Sequence, residues 1–417
     1  MQLEKYSLGI GDRFGLQAEA QLKALLKGQQ QGIKAVPVWN KSFREHNIIK
    51  SLPETVLIKA RKAVKALQWQ DSFYIDADHI NMNNVKDFIA SSNFFTIDVA
   101  DYIGKKAAPG AVTAFTEKYQ KYCGSLSLHK KNFQLHLNKE TIKQTAASLL
   151  TAVEKAGTLY KFIKKHKGKD NFITEISMDE TDKPQTPEQL FLILAAIADQ
   201  GIPAQTVALR FSGRFNKGTE YRGNLQLFSE QFNRDLAVLQ YAIPEFNLPL
   251  NLKLSVHSGS DKFSLYPIIN KALKKFKAGL HLKTAGTSWL AELCGLAESG
   301  DRGLQTARTV YYQAYKRLPE LCKPYAAVMN IDINKLPSPE TVEGWNSSAF
   351  SAALTHDQQN PAYNSDLRQL MHVAYKIAAE MGDEYRQQVK AHSELIGAKV
   401  TDNIYQKHLL PLYSNLS

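Results

Sequence analysis

Three histidines stand where short apolar stretches give way to polar sequence. His79 closes Asp76-Ala77-Asp78-His79, His257 closes Leu254-Ser255-Val256-His257, and His281 closes Ala278-Gly279-Leu280-His281. An imidazole offers a divalent cation one neutral nitrogen and leaves the other for an orienting partner. Three of them at strand ends suit a catalytic site that keeps one coordination position open. His79, His257 and His281 are therefore the expected ligands of one divalent cation, and Zn, Mn, Ni, Co and Fe all accept such donors. Any one alone would be read as a surface or hydrogen-bonded core residue. His46, His129, His136, His166, His356, His392 and His408, in helical or loop contexts, are read that way.

Asp78 adjoins His79, and a carboxylate beside a bound cation is placed to move a proton on the substrate. Neighbouring strand residues point to opposite faces, so Asp78 and His79 play different roles at one site only where the strand breaks into its loop. Asp76, two residues earlier on the face of Asp78, is an alternative orienting group. Met178-Asp179-Glu180 brings a second carboxylate from another strand, with Glu180 taken as proton donor and Asp179 as its alternative or as a substrate contact. Arg13, Lys41, Arg210, Arg214, Lys217, Lys262 and Lys283 supply the anion side, with Asp12, Asn40 and Ser260 as polar contacts. Backbone amides in Ser258-Gly259-Ser260 and Thr284-Ala285-Gly286-Thr287 can approach an oxyanion. Scattered Lys and Arg suit a carboxylate better than a phosphate. Arg368 and His372, one helical turn apart, are candidates to reach the site from the C-terminal region.

Positioning these groups requires strands. Eight apolar or β-branched runs read as such: Ser7 to Asp12, Ala35 to Asn40, Ser72 to Asp78, Phe94 to Asp98, Phe172 to Asp179, Thr206 to Phe211, Asn251 to Val256 and Ala278 to Lys283. Between them, apolar residues spaced by three and four predict helices, among them Ala18 to Leu26, Pro53 to Leu67, Glu188 to Asp199, Leu225 to Tyr241 and Leu265 to Phe276. Thr186-Pro187-Glu188 reads as a helix start: cap, first-turn proline, acid. Strands alternating with helices predict an α/β fold, and eight of them close a (β/α)8 TIM-type barrel whose active site lies at the strands' carboxyl ends. The polar residues named above follow the runs rather than precede them, which argues for fold and site together.

Two stretches break the repeat. The segment from about 109 to 169 reads as a mostly helical insertion in a catalytic barrel spanning 1–300. Residues 301–417 read as a helical C-terminal extension packing on it, with a long loop from Gly344 to Asp366.

The 417 residues are 44% hydrophobic and 22% charged, which is ample for a core. No apolar run reaches the ~20 residues of a membrane span and no secretory pattern opens the chain, so a cytoplasmic protein is expected. Cys123, Cys294 and Cys322 are too few and too scattered for a disulfide framework and are read as reduced, mostly buried thiols. The net charge of +12 invites a polyanion-binding reading, but the lysines crowd into helical stretches such as Lys161 to Lys167 without a nucleic-acid motif. The expected partner is a small anionic molecule, not nucleic acid or membrane, and a homo-oligomer remains open.

Gly9-Ile10-Gly11-Asp12-Arg13-Phe14-Gly15, Asp76 to His79, Phe94 to Asp98, Met178 to Thr186, Leu209 to Gly218, Ser255 to Ser264, Gly279 to Thr287 and Arg368 to Tyr375 together resemble the tagaturonate epimerase family. The resemblance implies a metal-dependent barrel that interconverts tagaturonate and fructuronate, two ketose uronates of hexuronate catabolism. It implies Asp78 as proton acceptor, Glu180 as donor, and His79, His257 and His281 as ligands. Asp78-His79 and His257-Ser258-Gly259-Ser260 are also similar, more distantly, to motifs of class II metal-dependent aldolases. Epimerisation at C4, a carbon β to the ketone, disfavours simple deprotonation, and this likeness suggests a retro-aldol and aldol sequence instead. An aldolase acting on a sugar acid is the alternative enzyme reading.

Overall fold

Each of the eight runs becomes a parallel strand, with boundaries shifted by a few residues where backbone pairing ends. A computed structural model describes residues 1–128, 133–181, 183–284 and 286–416, so His129 and Ala285, both singled out in the sequence, lie outside the described residues. The strands are β1 (Tyr6–Gly11), β2 (Ala35–Ser42), β3 (Tyr74–Ile80), β4 (Phe94–Asp98), β5 (Gly124–Leu128), β6 (Phe133–Leu137), β7 (Ile173–Ser177), β8 (Thr206–Ala208), β9 (Lys253–Val256) and β10 (Leu280–Thr284). All but β5 and β6 close into one parallel ring in the order β1, β10, β9, β8, β7, β4, β3, β2. This is the α/β barrel that the alternation predicts.

Side chains alternate between lumen and helix layer. On β10, Leu280 and Leu282 face outward into the main apolar core while His281 and Lys283 face the lumen. The floor of the lumen is a separate apolar cluster of Leu3, Val36, Val38, Tyr74, Phe94 and Ile173. Above it the inward positions turn polar, with Asp76, Thr96, Glu175, Thr206 and Lys283 all buried. The surrounding helices start where their caps predict. Thr186 and Gln189 form a full capping box ahead of Pro187–Asp199, reciprocally satisfying first-turn amides.

The insertion is not wholly helical. Helices Pro109–Tyr119 and Lys139–Lys167 flank the antiparallel hairpin β5–β6. Its sequence alternates, with Leu128, Leu135 and Leu137 buried while Ser125, Ser127, Gln134 and His136 are exposed, the period of a half-buried strand. The stretch expected to be a loop from Gly344 to Asp366 contains a helix, Ser347–Leu354, capped by Asn346 Oδ1 accepting from Ala349 N at 2.8 Å. Cys123 is exposed, contrary to expectation. The extension packs on the barrel's outer helices, with Ser393–Asp402 against Ala18–Gln30 and Thr287–Glu298. No described helix is long and apolar enough to cross a membrane.

Candidate active site

The pairing of β3 with β4 shifts register between Ala77 and Ile80, and within that bulge His79 adopts φ +53°. A non-glycine residue in this left-handed region costs of order 1 kcal/mol or more and persists only where its surroundings enforce it. The break in the pleat turns His79 to the same side as Asp78, whose Oδ1 lies 2.9 Å from His79 Nδ1. The other nitrogen, Nε2, lies 3.4 Å from Asp179 Oδ1. His257 repeats the arrangement from the opposite direction. Its Nε2 is 2.7 Å from Glu175 Oε1, and its Nδ1 is 3.1 Å from the same Asp179 oxygen. The two rings meet edge to face with centroids 5.1 Å apart. Each imidazole thus has one nitrogen fixed by a buried carboxylate and the other turned toward Asp179.

Lys283 joins the two carboxylates. Its ammonium lies 2.8 Å from Asp76 Oδ2, 2.8 Å from Asp78 Oδ1 and 3.1 Å from Glu175 Oε1, and it also donates to Thr96. The flank of Gly9 admits the lysine stem, since a Cβ there would sit 3.0 Å from Lys283 Cγ. Burial alone would lower the lysine pKa, but the surrounding carboxylates lift it well above the ordinary lysine range. Burial likewise disfavours the Asp78 anion, yet Lys283 and His79 outweigh it and hold that carboxyl well below its usual value. Asp76, deeper and fully desolvated, is pushed up to about 6.

His79, Asp179 and His257 offer ligand atoms within 4.8 Å of one another. Their chemistry fits a divalent cation. His257 Nδ1 and His79 Nε2 converge on one Asp179 oxygen, at 3.1 and 3.4 Å, and the far nitrogens carry the carboxylate partners that orient metal-bound imidazoles. His281 is not part of this group. It sits lower in the lumen, its Nδ1 2.9 Å from Ser7 Oγ and its ring against Phe94, and burial pushes its pKa down to about 3. Asp179 stands where His281 was expected, because the inward residue two places before Lys283 falls one layer below the rim.

Beside Asp179 and His257 opens a cavity of about 280 Å³ lined also by Arg210, Arg214, Phe215, Asn216, Ser258, Val328 and Met329. Arg210 points its guanidinium toward the Asp179 carbonyl at 3.4 Å, and Lys217 reaches Ser258 Oγ at 3.5 Å. Glu180 is exposed on the rim. Other expected contacts are committed elsewhere. Asp12 accepts from the amides of Gly15, Leu16 and Gln17, bracing its own loop. Arg13 pairs with Glu45 and stacks on Tyr375. Lys41 leaves the lumen on the outer face of β2 and donates to the Arg13 carbonyl, with desolvation lowering its pKa to about 8. Lys262 gives its protons to the carbonyls of Asn216, Thr219 and Ser260. Arg368 binds the Gly218 and Leu354 carbonyls and Asp261, and so clamps the loops after β8 and β9 from behind. His372 packs over Gly286 and Gly218. Asn40 is inward and buried beside Gly9 and Lys283, and its amide has no partner among the described residues.

Sequence reasoning missed Glu175. The signal was available: a carboxylate inside an apolar run, at the inward parity that leads on to Asp179 just past the strand's end.

Fold and site together define a (β/α)8-barrel enzyme with an imidazole–carboxylate centre at the carboxyl ends of its strands. The chain belongs to the tagaturonate epimerase family, whose model matches residues 1–408, and it is therefore an isomerase. It is 26% identical over 391 residues to the tagaturonate/fructuronate epimerase of Thermotoga maritima, covering 88% of this chain and 72% of that protein. Its fold is similar to crystal structures of the fructuronate-tagaturonate epimerase of Cohnella laeviribosi. The glycerol complex superposes with a TM-score of 0.82 at 21% identity over 99% of this chain and 82% of the other, and the native form with 0.79.

Proposed function

We propose that this chain interconverts tagaturonate and fructuronate at the mouth of the barrel, with His79, Asp179 and His257 holding one divalent cation. The observation that carries the reading is the mirrored pair of imidazoles, each oriented by a buried carboxylate and both carboxylates tied to Lys283. The cation, when bound, supplies Lewis acidity toward the ketose oxygens.

The protein's own groups divide the remaining work. Arg210, with Arg214 and Lys217 near it, attracts the substrate carboxylate and orients the chain along the cavity. Asp78, kept ionised by Lys283, takes the proton from the C4 hydroxyl. The C3–C4 bond then breaks, its electron pair passing into the ketone-bearing fragment as an enediolate while C4 becomes an aldehyde. Rotation of that aldehyde presents its other face, C3 adds back, and Asp78 returns the proton, so no atom is gained or lost. Glu180, on the rim, exchanges a proton with the ketone-side oxygens.

The test is metal analysis of the purified protein, with NMR of both uronates before and after chelation in deuterated water. Interconversion that stops on chelation, returns with metal and leaves C4 free of deuterium is the expected result. Stoichiometric deuterium at C4 would overturn the bond-breaking route, and net release of three-carbon fragments would favour an aldolase.

A further inference from the structure

The lining of the cavity includes a piece of chain far from the barrel, Ala326, Val328 and Met329, from the segment joining the extension's helices. Its anchors fix its course. At one end the Pro324 carbonyl accepts from Arg44 Nη1 at 3.3 Å, the Arg44 guanidinium stacks 5.3 Å from the Tyr325 ring, and Tyr325 Oη lies 2.9 Å from Tyr375 Oη. Arg44 lies in the first turn of the helix Phe43–Ile49, which follows β2. Four residues on, the Val328 carbonyl accepts from Lys217 N at 3.0 Å, in the loop after β8. In the closed ring three strands lie between β2 and β8 in either direction, so they stand on opposite sides of the mouth. The segment therefore crosses the mouth.

A built clamp holds its far end. Gln369 is fully buried; its Oε1 accepts from Asn330 N at 2.9 Å and its Nε2 donates to the Asn330 carbonyl at 3.1 Å. Asp366 Oδ1 accepts from Asp332 N at 2.8 Å. Burying a glutamine amide is costly unless both ends are satisfied, and here both are satisfied by the backbone of the strap itself. The result is an apolar wall of Val328 and Met329 in a cavity whose other sides carry Arg210, Arg214, Asp179 and His257. About 280 Å³ lies at the lower limit of ordinary ligand pockets and suits one monosaccharide acid.

We infer that residues 324–332 form a specificity strap, with Val328 and Met329 setting the upper size of the substrate and Gln369 acting as the positioning residue that holds them in place. The inference goes beyond the epimerase reading but takes its probe from it. The experiment compares tagaturonate with a seven-carbon ketose acid by turnover and by calorimetric binding, in the wild type, Val328→Ala/Met329→Ala and Gln369→Ala. One extra carbon against a fixed apolar wall is worth about tenfold or more, so the wild type should discriminate by that factor in both readouts. The double variant should erase most of it. Gln369→Ala should raise KM several-fold with kcat nearly unchanged, and melting temperatures should show that all variants are folded. Unchanged discrimination in the folded double variant, or wild-type kinetics for Gln369→Ala, overturns the strap. Absent turnover with size-dependent binding retained would sink the epimerase reading and leave the strap standing, whereas size-blind binding, or no binding of either acid, would sink the strap.

Discussion

Lys283 at the mouth of the barrel and Lys253 at its floor project from neighbouring strands into one lumen, and their surroundings push them in opposite directions. Both are buried, and burial alone disfavours the charge on each. Around Lys283, Asp76, Asp78 and Glu175 converge from two other strands and raise its pKa well above the ordinary value. Around Lys253 the partners are the carbonyls of Leu3 and Glu4, with only the Glu4 carboxylate to oppose desolvation, and its pKa falls to about 7. The floor closes the barrel with apolar packing and tolerates a weakly supported charge. The mouth concentrates charge that is mutually satisfied, as a preorganised catalytic site requires.

Changes at the mouth should be the most damaging to function. His79→Ala should take epimerisation to background and lower metal content, read by NMR and elemental analysis, while its partly exposed position leaves the melting temperature nearly unchanged. Full activity in that variant would break the assignment of the mouth as the catalytic end. Lys283→Met should strike both function and fold. Three buried carboxylates would lose their cation, costing about 3–5 kcal/mol in denaturant unfolding, as when one partner of a buried pair is removed. Epimerisation should also fall about 10–100-fold through misplaced Asp78 and His257, the range for lost orienting partners.

The floor should answer differently. Lys253 keeps its proton in the unfolded chain up to about 10.5 but releases it in the fold above about pH 7. Between those values the unfolded state binds more protons, so stability from this group rises with pH across the window and is lost as pH falls through 7. Lys253→Met should flatten that slope, on the order of 1 kcal/mol per pH unit, without altering kcat/KM. The smallest effect expected is for Ile173→Val in the apolar floor: about 1 kcal/mol of stability and unchanged epimerisation. A large kinetic effect from either floor variant would show that the two ends are coupled and would dissolve the contrast.

Legibility in the sequence followed the same division. The eight strands and most of their helices could be read because period and capping are local properties, as in Leu280 to Lys283 and Thr186 to Gln189. The hairpin in the insertion was missed although Phe133-Gln-Leu-His-Leu137 alternates, since long helical patterns on either side dominate that stretch. At the site, Asp78, His79, Asp179, His257 and Arg210 were legible as polar residues at strand ends. Arg368, Lys262 and Lys41 look identical to substrate contacts by type and place. Which cation meets a carbonyl instead depends on loops that sequence does not position.

The amino-acid sequence by itself determined the eight barrel strands and their succession along the chain, the end of the barrel at which chemistry gathers and the family, because each rests on residue spacing and motif. Tertiary structure alone decided which imidazoles meet. His79 reaches the site through a bulge and a left-handed backbone, His257 is turned by a glutamate from another strand, and His281 is left one layer down. Those outcomes depend on the register in which eight strands close into a ring, and register is a property of the whole fold rather than of any segment within it.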